Sequence, residues 1–131
     1  MKYLFMAALL SFLALVVCAT QENKAALLPT YELYSWQDGH GNWCFAMLYT
    51  TSRQKSVEEI FDKKVVIRGL DKLKQRISRL DRPSRIIWAD KLIFNGAIVK
   101  GSERLEWPPR NVIEEVKNYA AGRHVEIIGT E

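Results

Sequence analysis

Residues 34–49 read YSWQDGHGNWCFAMLY, and the fold turns on how that stretch is arranged. After the DGHGN segment, Trp43, Phe45, Met47 and Tyr49 alternate with Cys44, Ala46 and Leu48. A strand sends alternate side chains to opposite faces, so a run that is apolar in both sets has two faces to bury. The stretch therefore reads as an interior strand with cover on each side. Upstream, Tyr31, Leu33 and Ser35 alternate with Glu32, Tyr34 and Trp36, and the aromatic residues suit a pleated surface. Asp38-Gly39-His40-Gly41-Asn42 joins the two runs. Glycine tolerates positive φ, while Asp and Asn bond to nearby backbone amides. The expected product is an antiparallel hairpin in which Trp36 and Trp43 flank the turn and face each other across the strands.

Downstream, helices punctuate further strands. Ser56 followed by Glu59 is a capping box, so a short helix through Phe61 is expected. Val65-Val66-Ile67, three β-branched residues, suits a brief strand. From Gly69 to Leu80 the residues Leu70, Leu73, Ile77 and Leu80 make one apolar stripe, which predicts a helix stopped before Pro83. Residues 85–89 (RIIWA) read as a strand. Between Lys91 and Trp107 two short strands are expected, at Leu92-Ile93-Phe94 and at Arg104–Trp107. Pro108-Pro109 opens a last helix, whose buried stripe is Val112, Ile113, Val116, Tyr119 and Ala120 and whose stop is Gly122. Residues 125–128 (VEII) close the chain as a strand. The order is β-β-α-β-α-β. It implies an α/β fold (α+β being the alternative): a small mixed sheet with two amphipathic helices packed on it, helix-linked strands parallel and the first hairpin antiparallel.

The chain has 131 residues, 48% hydrophobic and 26% charged, which suits one small domain rather than a disordered or fibrous chain. Its first segment, MKYLFMAALLSFLALVVCAT, carries one lysine and an apolar run from Leu4 to Val17 broken only by Ser11. As a helix that run reaches about 21 Å, short of the roughly 30 Å hydrocarbon core of a bilayer. It reads as a secretory signal over residues 1–19, cleaved near Ala19, with a retained membrane anchor as the alternative. A flexible linker over 20–30 and one domain over 31–131 would follow. The mature protein would then be exported, periplasmic or secreted, without a transmembrane span. Removing the leader takes away Lys2 alone and leaves 18 basic against 15 acidic side chains, a mild +3 that does not by itself call for nucleic acid. Leu15-Val16-Val17-Cys18 also approaches a lipoprotein box, with bulky Val17 where a small residue is usual, so a lipid-anchored envelope protein is a further reading. Cys44 would be the lone cysteine of the mature chain, and the domain must rest on its apolar core.

Three polar constellations compete for a function. The first is the hairpin tip. Asp38, His40 and Cys44 offer too few ligands for a metal site, because His124 is remote in sequence. A Cys44–His40 nucleophile pair is the enzyme reading: histidine can take a proton from a thiol, though no orienting group or oxyanion hole is evident. The second, Ser52-Arg53-Gln54-Lys55, spells the S-x-x-K of penicillin-binding enzymes but lacks the companion elements, and reads as a polar loop. The third is a basic run. Lys63 to Lys91 holds ten basic residues against three acidic ones. At 100° per residue Arg68, Lys72, Arg76 and Arg79 gather opposite the leucine stripe, a ridge suited to an anionic partner. Nucleic acid is disfavoured because no aromatic residues are interleaved on that face to stack with bases. Trp107, beside Pro108-Pro109, is a further contact candidate if exposed.

The second half, with Ile86-Ile87-Trp88-Ala89-Asp90-Lys91, then Val112 to Gly122, then residues 125–129 (VEIIG), is similar in element order to the periplasmic domain of biopolymer-transport energiser proteins. The resemblance implies strand–helix–strand topology and carries over no functional residue. The chain departs from that family in its short apolar N-terminal segment, which lacks an acidic residue for proton coupling. The reading favoured by the residues is an exported, non-enzymatic domain that binds a protein or an anionic envelope component. Arg68, Lys72, Arg76, Arg79, Trp36, Trp43 and His40 are its candidate contacts, and no cofactor or metal is called for.

Overall fold

Thr30–Gln37 (β1) and Trp43–Tyr49 (β2) form the antiparallel hairpin in a computed structural model that describes residues 28–51 and 53–131. The leader, the cleavage position near Ala19, Cys18, the linker through residue 27 and Ser52 lie outside the described residues. β1 begins at Thr30, inside the segment expected to be linker. The elements that follow are Val57–Ile60 (α1), Ile67–Arg68 (β3), Leu70–Ser78 (α2), Ser84–Trp88 (β4), Ile93–Phe94 (β5), Ala97–Ile98 (β6), Arg110–Ala121 (α3) and Val125–Ile128 (β7). β3-β2-β1-β4-β7 make a five-stranded mixed sheet. β1 runs parallel to β4, and β4 to β7, while β2 is antiparallel to both its neighbours. The fold is thus a mixed α+β arrangement, in which the strands linked by α2 and by α3 run parallel and the hairpin antiparallel. β2 and β3, joined through α1, are antiparallel, against the expectation for helix-linked strands.

Both faces of the sheet are covered, as the two apolar sets of β2 require. On one face Leu33, Phe45, Met47, Ile86, Trp88 and Val125 meet Leu73 and Ile77 of α2 and Ile113, Val116 and Ala120 of α3. On the other, Tyr34, Trp36, Cys44 and Ala46 meet Ile60 of α1 and Leu92 and Leu105 of the β4–α3 connection. Burying each large aliphatic side chain is worth about 1.5–3 kcal/mol, so these two layers supply most of the driving force. The capping box at α1 forms: the Ser56 hydroxyl accepts from the Glu59 amide, and the Glu59 carboxylate accepts from the Ser56 amide. Arg53 donates to the same carboxylate, and that bond chiefly holds Glu59 down to about 2, well below the usual carboxylate range.

The hairpin register corrects one expectation. Gln37 pairs with Trp43 and Trp36 with Cys44, so the two tryptophans lie on opposite faces and do not stack across the strands. The five-residue tip closes on Gln37 rather than Trp36, and one residue along a strand reverses the face. Trp36 instead packs edge-on against Phe61, with ring centroids 4.7 Å apart.

The segment from Lys91 to Trp107 is a second correction. One hairpin forms, β5–β6, closed by Asn95 and Gly96 at φ 53° and 78°. Arg104–Trp107 is not a strand: a single backbone bond, Glu106 N to Ser35 O at 2.9 Å, ties it to β1. Leu105 plugs the second core, and Pro108 beyond it has no amide to extend a ladder.

Candidate functional site

α2 and β3 build a groove from the basic run. Leu73 and Ile77 are buried under the sheet, and the helical repeat then sends Lys72, Gln75, Arg76 and Arg79 to the exposed side. Gly69, at φ +92°, separates the helix from β3 and turns Arg68 alongside it. Val66, Ile67 and Arg68 form one wall, and Lys72, Gln75, Arg76 and Arg79 the other, around about 320 Å³ of open space. All four predicted cations come together here, although Arg68 arrives from a strand and not from the helix.

Of the six other basic residues of the run, three form ion pairs, Lys91 donates to Leu105 O, and Lys63 and Lys64 are exposed without an ion pair among the described residues. Lys74 meets Glu115 at 3.2 Å, Arg82 meets Asp81 at 3.6 Å, and Arg85 meets Glu126 at 3.7 Å. Among the described residues, Lys72, Arg76 and Arg79 form no ion pair. Arg68 has only a 4.0 Å approach to Asp38 Oδ2. The groove is thus a local excess of positive charge on rigid elements, with donors spaced one helical turn apart.

Asp38 belongs first to the hairpin tip. Its Oδ1 accepts from the amides of His40 and Asn42, each at 2.9 Å, and these bonds hold its carboxyl below the usual range. His40 is exposed at the apex of this turn. Beyond Arg68 lies a second recess of about 460 Å³, walled by Trp43, Leu70 and Val112 with Asp38 and Asn42 at its rim. Trp43 is half-buried there. Trp36, only 3% exposed, is a core residue and not a contact surface. Trp107 is half-buried and donates from Nε1 to Trp88 O at 3.1 Å.

The thiol reading finds its cysteine enclosed. Cys44 is 1% exposed, faces the second core, and burial pushes its thiol up. Its sulfur lies 4.0 Å from both Asn42 O and Arg68 Nη1, while His40 stays at the exposed tip. A thiol buried in this way is protonated and shielded. In a Cys18→Ser chain, labelling with an aromatic disulfide reagent is expected to be negligible until denaturant is added. Prompt reaction of the folded protein would show that Cys44 is reachable. Of the S-x-x-K segment, Lys55 is buried and donates to Thr51 Oγ1 at 3.3 Å. Among the described residues no cluster of three or more His, Cys, Asp or Glu side chains is placed to hold a metal, and no helix is long and apolar enough to cross a membrane.

Gln75 and the Val66–Ile67 wall were not among the sequence candidates. The apolar triplet next to the basic run, broken from the helix by Gly69, was the available signal. The chain matches no family model, no curated protein and no solved structure.

Proposed function

We propose that this is an exported, non-enzymatic binding domain whose β3–α2 groove recognises an anionic group on a protein or another envelope component. The observation that carries the reading is the convergence of Arg68, Lys72, Arg76 and Arg79 on one groove, three of them without a carboxylate partner among the described residues. A cation left unpaired gains more from an incoming anion than one that must first break an ion pair. Cleavage of the leader near Ala19 delivers the domain to the envelope in this reading, and a retained leader or a lipid on Cys18 would tether it there instead. The aromatic contribution falls to Trp43, at the neighbouring recess, with His40 at the rim of the hairpin.

The test is a charge-reversed triple variant, Lys72→Glu, Arg76→Glu and Arg79→Glu. All three side chains are exposed, so its melting temperature should stay within a few degrees of the parent, about the shift of 1 kcal/mol. Affinity for inositol hexakisphosphate, used as a polyanionic probe, should fall by about thirtyfold or more, as lost charge-assisted hydrogen bonds predict. A control reversing Lys63, Lys64 and Lys100, exposed and outside the groove, makes the same change in net charge and should retain most of the affinity. Equal losses in both variants would reduce the groove to generic charge. Capture of a partner from envelope extract by the parent but not by the groove variant would then place the physiological ligand on this surface.

A further inference from the structure

The β5–β6 hairpin exposes Ile93, Phe94 and Ile98 at 55%, 57% and 50%, three of the four large apolar side chains most exposed among the described residues. Its base is held. Leu92 is buried in the second core, Val99 packs on that core and donates its amide to Leu92 O, and Gln54 Nε2 donates to Ile93 O at 3.2 Å. Only the tip is unclothed. Ile93 stands opposite Ile98 and Phe94 opposite Ala97, so the two isoleucines project from one face of the hairpin and Phe94 from the other.

That two-sided character decides what covers it. A flat docking patch shows its apolar side chains to one side only, whereas a finger apolar on both sides is satisfied by a medium that surrounds it. Charge is compatible: between Asp90 and Glu103 there is no acidic residue, and Lys100 is exposed. Lys91 is turned inward to Leu105 O, and the Glu103 carboxylate accepts from Gly101 N at the base, away from the tip. The short strands leave outward backbone groups that must stay near water, which limits insertion to the headgroup boundary.

We propose that the β5–β6 hairpin dips into the interface of an anionic lipid bilayer, with Ile93, Phe94 and Ile98 among the first methylenes of the acyl chains and Lys100 at the headgroups. Three half-exposed side chains give weak, reversible attachment that needs a second contact to persist. The inference stands on this hairpin alone and does not depend on the groove.

The apolar leader of the full chain would itself bind vesicles, so the readout must sit on the hairpin. A full chain carrying Cys18→Ser and Ala97→Cys, labelled with the fluorophore NBD, is mixed with vesicles of phosphatidylcholine and phosphatidylglycerol in equal parts. The expected result is a blue shift and stronger emission at position 97, weaker on phosphatidylcholine alone and absent from a label at Lys64→Cys. Adding Ile93→Ser, Phe94→Ser and Ile98→Ser should abolish the shift at an unchanged melting temperature. A label at 97 that stays aqueous on bound protein overturns the proposal, as does a shift that survives the serine substitutions. Self-association lost in the serine variant, without any shift on vesicles, would assign the hairpin to a second copy and overturns it equally.

Discussion

Trp88→Ala is expected to cost about 3–5 kcal/mol of folding stability, and to leave a domain of this size close to half-unfolded in mild denaturant. Trp88 is 0% exposed on β4, between β1 and β7, and stands edge-on to Phe45 with centroids 6.2 Å apart. Its Nε1 donates to Ser35 Oγ at 3.0 Å, and that hydroxyl donates in turn to Glu106 O at 2.6 Å. The indole therefore fills the core beneath the two long helices and steadies the strap that crosses the carboxyl end of β1. Alanine removes the ring volume, the edge-on aromatic contact and the donor to Ser35 together. Trp88→Phe keeps most of the volume and loses chiefly the hydrogen bond, so about 1–2 kcal/mol is expected from it. Urea unfolding at an unchanged slope measures both losses. If alanine cost no more than phenylalanine, the apolar face of the sheet would not be the stabilising core described above.

The helices and the interior strand were readable because each obeys a period that only one structure satisfies. Leu70, Leu73 and Ile77 mark α2, Ile113, Val116 and Ala120 mark α3, and the double apolar set of β2 called for the two cores found around it. The same double set hid the hairpin register. When both faces of a strand are apolar, a one-residue slip buries nothing polar, so alternation does not reveal whether Trp43 faces Trp36 or turns away. Only the closing pair of the five-residue tip decides that. The basic site was half legible for a related reason. Helical spacing gathers Lys72, Arg76 and Arg79 and, extended one residue before Gly69, Arg68 as well. That Arg68 reaches them through a glycine at positive φ and a strand of two residues is what no period announces. Leu92 and Leu105 are core residues on an irregular connection, where burial follows from a few tertiary hydrogen bonds and leaves no repeat in the sequence.

Gly129→Val is expected to destabilise by about 3–5 kcal/mol, from two sources that can be separated. Gly129 follows β7 at φ +90°, a conformation that β-branched residues avoid. A methyl placed on it would also lie 3.3 Å from Trp88 O and 3.5 Å from Ile87 Cγ2. That carbonyl cannot retreat freely, because Trp107 Nε1 donates to it at 3.1 Å. The next residue, Thr130, is buried and accepts from Arg110 Nη1 at 2.7 Å, so a displaced Gly129 also loosens the tie between the chain end and α3. Gly41 supplies the comparison: it has φ +80° but open space where a side chain would go. Gly41→Ala should register the conformational cost alone, about 1–2 kcal/mol, and Gly129→Ala at least about 1 kcal/mol more. Thermal melts of the two alanine variants isolate the steric part. Equal losses would mean that β4 yields to the added methyl, and that the close approach of Gly129 to Trp88 contributes nothing to holding the end of β7 in place.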